Sequence, residues 1–198
     1  MSALSLTFDD GPEPVWTEQV LRELGRCRVR ATFFLIGERV LEYPRLARAI
    51  VSAGHEAQLH CHRHVRHSDL SEAELIEDTR QGLDALVSAG VSPDLWRAPW
   101  GVQTPASERV AQRFGLTLVR WSIDTHDWRG DTPAEMLSIA RPALARGGAV
   151  LMHDGLGPGA LREECENTVR LIAPLSEVAR ELGIPARPLG EPQGALAA

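Results

Sequence analysis

One pattern constrains this chain more than any other: short apolar runs alternate with amphipathic stretches from end to end. The runs are Leu4–Phe8, Ala31–Ile36, Glu56–Leu59, Asp94–Trp96, Leu116–Trp121, Ala149–Met152 and Ile184–Arg187, mostly bounded by glycine, proline or polar turns. The stretches between them carry helix punctuation. Trp16–Arg26 has apolar positions at Val20, Leu21 and Leu24, and Pro44–Ala53 has them at Leu46, Ala49 and Ile50. Ser71 and Glu74 open Ser71–Ala89 with a capping-box pattern, and Thr104 precedes Pro105–Phe114. Thr132-Pro133-Ala134-Glu135 offers an N-cap, a proline at the first helical position and an acid at the third, while Asn167–Leu182 stops at Gly183. About seven strand–helix alternations predict an α/β fold built on a mostly parallel sheet, open or closed into a barrel.

The unusual polar residues sit at equivalent places on this map. Asp9 and Asp10 follow the first run, His60 and His64 the third, Arg97 the fourth, Asp124 and Asp127 the fifth, and His153 and Asp154 the sixth. In parallel sheets and barrels the C-terminal strand ends share one face, and that face carries the active site. One carboxylate and two imidazoles make a catalytic zinc site with an open position for water. Histidines four residues apart can face one point if their segment forms a helical turn. A second carboxylate and a separate histidine then supply a base and an acid for metal-assisted amide hydrolysis. Each motif alone has a plainer account: an acidic turn, a solvated histidine-rich loop, a packed Asp–Trp pair, a satisfied core histidine. Their joint occurrence at five strand ends favours chemistry.

Bulk properties narrow the class. The 198 residues suit one domain, 1–198, with no repeat or linker and a flexible tail after about residue 190. A net charge of −6 with scattered basic residues argues against a nucleic-acid partner. Cys27, Cys61 and Cys165 are odd in number, far apart and without CxxC spacing, which argues against a disulfide framework. No basic segment precedes an apolar run at the start, and no apolar stretch is long enough to span a bilayer. The expectation is a cytoplasmic monomer.

The ordered motifs TFDDGP at Thr7–Pro12, HCHRH at His60–His64, RAPWG at Arg97–Gly101, DTHDW at Asp124–Trp128 and VLMHD at Val150–Asp154 give the chain a family resemblance. It resembles the polysaccharide deacetylases of the NodB-homology type, carbohydrate esterase family 4. That resemblance implies a distorted (β/α)7 barrel, TIM-barrel-like, and a metal-dependent hydrolase removing N-acetyl groups from a chitooligosaccharide, peptidoglycan-type or related saccharide. It implies Asp10, His60 and His64 as ligands of a divalent metal, zinc first and cobalt or another ion second. It implies Asp9 as general base oriented by Arg97, and His153 as general acid oriented by Asp127. Trp100 would give a backbone N–H to the oxyanion, and Trp128 and Leu151 would line a pocket for the acyl methyl.

The chain departs from the family pattern in places. Cys61 stands where the second motif usually has Ser or Thr, either packing locally or approaching the metal. Val65-Arg66-His67 reads as an extension that could reshape the substrate groove, and His62 and His67 match no ligand position. Few aromatics are available for long sugar-stacking platforms, which favours a short substrate. Two other readings stay open: an amidohydrolase of this fold acting on a non-sugar amide or imide, and an inactive carbohydrate- or metal-binding module. The intact Asp9, Arg97, Asp127 and His153 speak against the module, because binding alone requires neither base nor acid.

Overall fold

The computed structural model describes residues 3–191. The expected tail is outside them, apart from Gly190 and Glu191, which are tied down: the Gly190 N–H donates to Glu56 at 3.0 Å and Glu191 pairs with Arg30. The element order is β1 (Leu4–Asp9), α1 (Trp16–Cys27), β2 (Thr32–Ile36), α2 (Gly37–Glu42), α3 (Pro44–Ser52), β3 (Glu56–Cys61), α4 (Glu72–Ser88), β4 (Leu95–Trp96), α5 (Pro105–Phe114), β5 (Thr117–Leu118), β6 (Ile123–Asp124), α6 (Pro133–Leu144), β7 (Gly148–His153) and α7 (Glu166–Glu181). The strands form one sheet in the order β5-β4-β3-β2-β1-β7-β6, and every neighbouring pair is parallel. This is the expected seven-stranded α/β architecture, curled into a barrel whose two edges, β5 and β6, are not hydrogen-bonded to each other.

The buried strands read as near-continuous apolar runs because both their faces are covered. All six residues of β1 and all five of β2 are buried, and the Phe8 and Phe33 rings stack at 5.1 Å. Outside the sheet α7 packs against α1 and α6, and α4 against α5. The helix starts follow the sequence reading. Ser71/Glu74 and Thr132/Glu135 form complete capping boxes, with prolines at the first turns of α5 and α6, and Gly183 adopts φ +64° just past α7.

Two strand expectations change. Leu116–Trp121 forms only the two-residue β5, after which the chain crosses to the opposite edge and pairs Ile123–Asp124 with β7 as β6. Ile184–Arg187 is no strand; it makes a single parallel bridge, Ala186 to Leu4. The space is limited: β1 is flanked along its length by β7 and from Thr7 onward by β2, so only its first three residues, Leu4–Leu6, have an edge open to this segment. Helix α2, absent from the sequence reading, fills the gap between β2 and α3.

Candidate functional site

The expected polar site residues lie at or just beyond C-terminal strand ends, and Leu151 lies two residues before the end of β7. Asp9 ends β1, His60 lies at the end of β3, Arg97 follows β4, Asp124 ends β6 and His153 ends β7. Asp9 and His153 are direct partners across the β1–β7 ladder. A pocket of about 390 Å³ opens over this face, and its lining includes Asp9, Asp10, His60, His64, His153 and the side walls Trp100, Trp128 and Leu151. Arg97 and Asp127, 0% and 1% exposed, stand behind this surface.

Asp10, His60 and His64 form a cluster. His60 Nε2 and His64 Nε2 lie 3.4 Å and 3.2 Å from Asp10 Oδ1, and one ligand atom from each residue falls within 4.8 Å of the others. Tetrahedral coordination with bonds of roughly 2.0–2.1 Å separates ligand atoms by about 3.3–3.4 Å. The Asp10 Oδ1 atom is buried with no well-formed hydrogen bond, which a cation between the three groups would remedy. The Nδ1 of His60 meets the Arg97 carbonyl at 2.6 Å, so it carries the proton and leaves Nε2 free to ligate. Burial alone would raise the Asp10 pKa, but the close approach of the His60 and His64 rings holds it well below the usual carboxylate range. The residues therefore fit a divalent ion with nitrogen and oxygen ligands.

Two local devices shape this cluster. Asp10 sits at φ +73°, left-handed for a non-glycine residue. Its carbonyl accepts from Arg39 Nη1 at 2.9 Å, and Arg39 also bonds Glu13 at 2.7 Å and the Leu156 carbonyl at 2.8 Å. The loop after β7 then closes over it. A Cβ on Gly157 would lie 2.1 Å from Asp10 Oδ2, and one on Gly155 would lie 2.8 Å from the Asp10 carbonyl. Only glycine allows that approach.

The base and acid candidates each have a buried counter-charge. Arg97 Nη1 donates to Asp9 Oδ1 and to Thr7 Oγ1, both at 2.7 Å, while its guanidinium lies 4.1 Å over the Phe34 ring. His153 Nδ1 donates to Asp127 Oδ1 at 2.7 Å, turning its other ring nitrogen away from that carboxylate. Burial would lower the His153 pKa, but the Asp127 charge and hydrogen bond reverse this and carry it to about 9. Burial likewise opposes the Asp127 charge, and His153 and Arg162 more than offset it.

Residues 2–119 match the family model described as polysaccharide deacetylase. The chain belongs to the polysaccharide deacetylase family. It is 36% identical over 191 residues to a chitooligosaccharide deacetylase from Bradyrhizobium sp., spanning 93% of this chain and 87% of that one. It is 34% identical over 154 residues to a peptidoglycan-N-acetylglucosamine deacetylase from Bacillus cereus, spanning 77% and 74%. Among solved structures, a family 4 carbohydrate esterase from Streptomyces lividans in complex with acetate superposes with a TM-score of 0.85 at 29% identity, covering 93% and 91% of the two chains.

Against the family pattern the second motif is informative. The segment after His60 is a bend and not a helical turn, so His60 and His64 converge by strand end and loop. Cys61 is 2% exposed, lies outside the cluster, and burial holds its thiol well above its usual pKa, so it packs as an uncharged group. The loop is pinned instead by buried Asp78 of α4, whose two oxygens accept from the His62 and Arg63 N–H groups at 2.9 Å each. His62 turns toward Gly37, where a Cβ would meet its Nδ1 at 2.7 Å. His67 is a core residue and not a groove residue: it is 2% exposed, bonds Ser107 Oγ at 2.8 Å and packs 4.8 Å from the Trp96 ring. Of Val65–His67 only Arg66 reaches the pocket, where its guanidinium lies 4.3 Å over Trp100.

Sequence reading missed Trp121, Arg162 and the Gly155–Ala160 loop, which line the pocket. A signal was present for the loop: glycines at 155, 157 and 159 follow directly on a strand end.

Proposed function

We propose that this chain is a metal-dependent hydrolase, one catalytic domain, that removes N-acetyl groups from an amino-sugar substrate of the chitooligosaccharide or peptidoglycan type. The observation that carries it is the register pairing of Asp9 with His153 beside the Asp10–His60–His64 cluster. An acid and a base stand on adjacent strand ends, each with its own buried partner, next to a candidate metal site. Mere binding requires none of the partners.

Asp10, His60 and His64 would hold the ion, and their mixed nitrogen–oxygen set suits Zn²⁺. When bound, the ion supplies Lewis-acid polarisation and acidifies water at neutral pH. Asp9, oriented by Arg97, takes the proton of the attacking water. The Trp100 N–H donates to the acyl oxygen as negative charge develops there. In the turn that carries it, the neighbouring N–H groups are already engaged, Gly101 to Ala98 at 2.8 Å and Val102 to Pro99 at 3.1 Å. His153, oriented by Asp127, gives its proton to the leaving nitrogen, which departs as the amine. Trp128 and Leu151 accommodate the acyl methyl.

A sugar is favoured by the walls: three of the chain's five tryptophans, Trp100, Trp121 and Trp128, line the pocket. The volume of about 390 Å³ lies near the small end for ligand pockets and keeps a small N-acylated amide or imide as the second reading. No described helix is long and apolar enough to cross a membrane. Acetate release from N-acetylglucosamine oligomers and peptidoglycan fragments tests the proposal. Turnover of a small amide or imide with no acetate from any glycan would replace the saccharide reading. Unchanged activity in both Asp9→Asn and His153→Ala would overturn the mechanism.

A further inference from the structure

Asp127 has a second cationic partner besides His153. Arg162, from the loop between β7 and α7, has a side chain only 5% exposed, although it contributes to the pocket lining. Its Nη1 donates to Asp127 Oδ2 at 3.0 Å and to the Asp127 carbonyl at 3.1 Å, and also reaches Thr168 Oγ1. Its Nη2 donates to the His153 carbonyl at 3.1 Å and contacts Cys165 Sγ at 3.2 Å. One guanidinium therefore bridges both members of the acid pair.

The division of labour on the carboxylate is asymmetric. Asp127 Oδ2 accepts from the His153 N–H at 2.8 Å, from Thr168 Oγ1 at 2.7 Å and from Arg162 at 3.0 Å. Oδ1 faces the His153 ring at 2.7 Å. Three donors on one oxygen fix the rotation of the carboxylate, and that rotation aims the other oxygen at the imidazole. A guanidinium this deeply buried is costly unless it meets an anion, and Asp127 is the carboxylate it meets. The arrangement mirrors the base side, where Arg97 holds Asp9.

We infer that Arg162 is a positioning residue for amide cleavage: with Thr168 it locks the Asp127 carboxylate so that His153 is aimed at the leaving group. Arg162 and Gly157 belong to one connection between β7 and α7. The inference rests on the proposed deacetylase reading, since an acid is needed only where a poor leaving group must be protonated.

The test separates leaving groups. An amide nitrogen must be protonated to depart, whereas 4-nitrophenolate need not be. In metal-loaded enzyme Arg162→Met should lower kcat for acetate release from an N-acetylglucosamine oligomer about 10- to 100-fold with KM little changed, a partial loss of general-acid catalysis. Hydrolysis of 4-nitrophenyl acetate should stay within about threefold of wild type, and Arg162→Lys should recover most of the amide activity. Equal losses on both substrates, or no loss on either, would overturn the inference. Should Arg162→Met not fold, Thr168→Val, which removes another donor from the same oxygen, should show the same selectivity to a smaller degree. If wild-type enzyme releases no acetate from any saccharide, the proposed function fails. The ring NMR signals of His153 then still decide the positioning claim. They should move in Arg162→Met and return in Arg162→Lys; signals unmoved in both variants would overturn it.

Discussion

Gly157→Ala isolates the close approach of the glycine loop to the candidate metal cluster. The added Cβ would lie 2.1 Å from Asp10 Oδ2 and 2.8 Å from Asp10 Cγ, well inside contact distance. Either the carboxylate turns away from His60 and His64 or the loop lifts; both disturb the ligand set. Outer-shell changes at metal sites typically weaken binding about 10- to 100-fold, or roughly 1.4–2.7 kcal/mol. The loop is further held by Arg39 at the Leu156 carbonyl, which limits how freely it can retreat. Zinc affinity of the metal-stripped protein, read by competition against a chromogenic chelator, gives the number directly. Gly25→Ala in α1 is the control, because a Cβ there meets nothing within 4 Å; it should leave zinc affinity alone and stabilise the fold by about 1 kcal/mol. Zinc affinity in Gly157→Ala within about twofold of wild type, with the fold intact, would refute the argument that this glycine exists to let Asp10 point inward.

Three further outcomes are expected. Asp154 is fully buried, accepts from Thr17 at 2.6 Å, and burial raises its pKa to about 7. Between its unfolded value of about 3.9 and its folded value the native state holds a proton the unfolded chain has released, so stability falls as pH rises through that window. His153, raised to about 9, continues the decline from its unfolded value of about 6.5. Asp154→Asn should flatten the denaturation profile of the metal-free protein below pH 7, and an unchanged slope would contradict this. Asp78→Ala deletes the acceptor for two successive N–H groups in the His60–His64 loop; it should cost about 3 kcal/mol in urea denaturation and weaken zinc binding. Cys61→Ser should bind zinc within about twofold of wild type, because the thiol is outside the Asp10–His60–His64 cluster; a larger loss would place sulfur on the metal.

The parts of the fold legible in the sequence are those set by local chemistry. Capping pairs such as Ser71/Glu74 and Thr132/Glu135 mark helix starts by adjacent hydrogen bonds, and they held. The strands that failed depend on neighbours. Ile184–Arg187 falls where the alternation calls for a strand, but β7 covers β1 along its length and β2 covers it from Thr7 onward, and the segment makes only the Ala186–Leu4 bridge. Leu116–Trp121 reads as one run, yet the chain uses its first part on one sheet edge and the following Ile123–Asp124 on the other. The site shows the same division. Asp9, Asp10, His60, His64 and His153 stand at strand ends inside recognisable motifs, so topology alone gathers them. Asp78, Arg39 and Arg162 lie far from those residues in sequence or outside the motifs, and only packing shows what they hold. His67 illustrates the opposite case: close to His60 and His64 in sequence, it is buried against Trp96, and burial lowers its pKa to about 4.

The most direct test of the central claim is the stoichiometry of acetate and free amine released from an N-acetylglucosamine oligomer, measured with zinc-loaded wild type, chelated wild type and Asp9→Asn. The account predicts one acetate per amine, loss of turnover on chelation, and a fall of about 10²–10⁴-fold in Asp9→Asn with zinc still bound. Turnover that survives chelation, or an Asp9→Asn enzyme as fast as wild type, would contradict it.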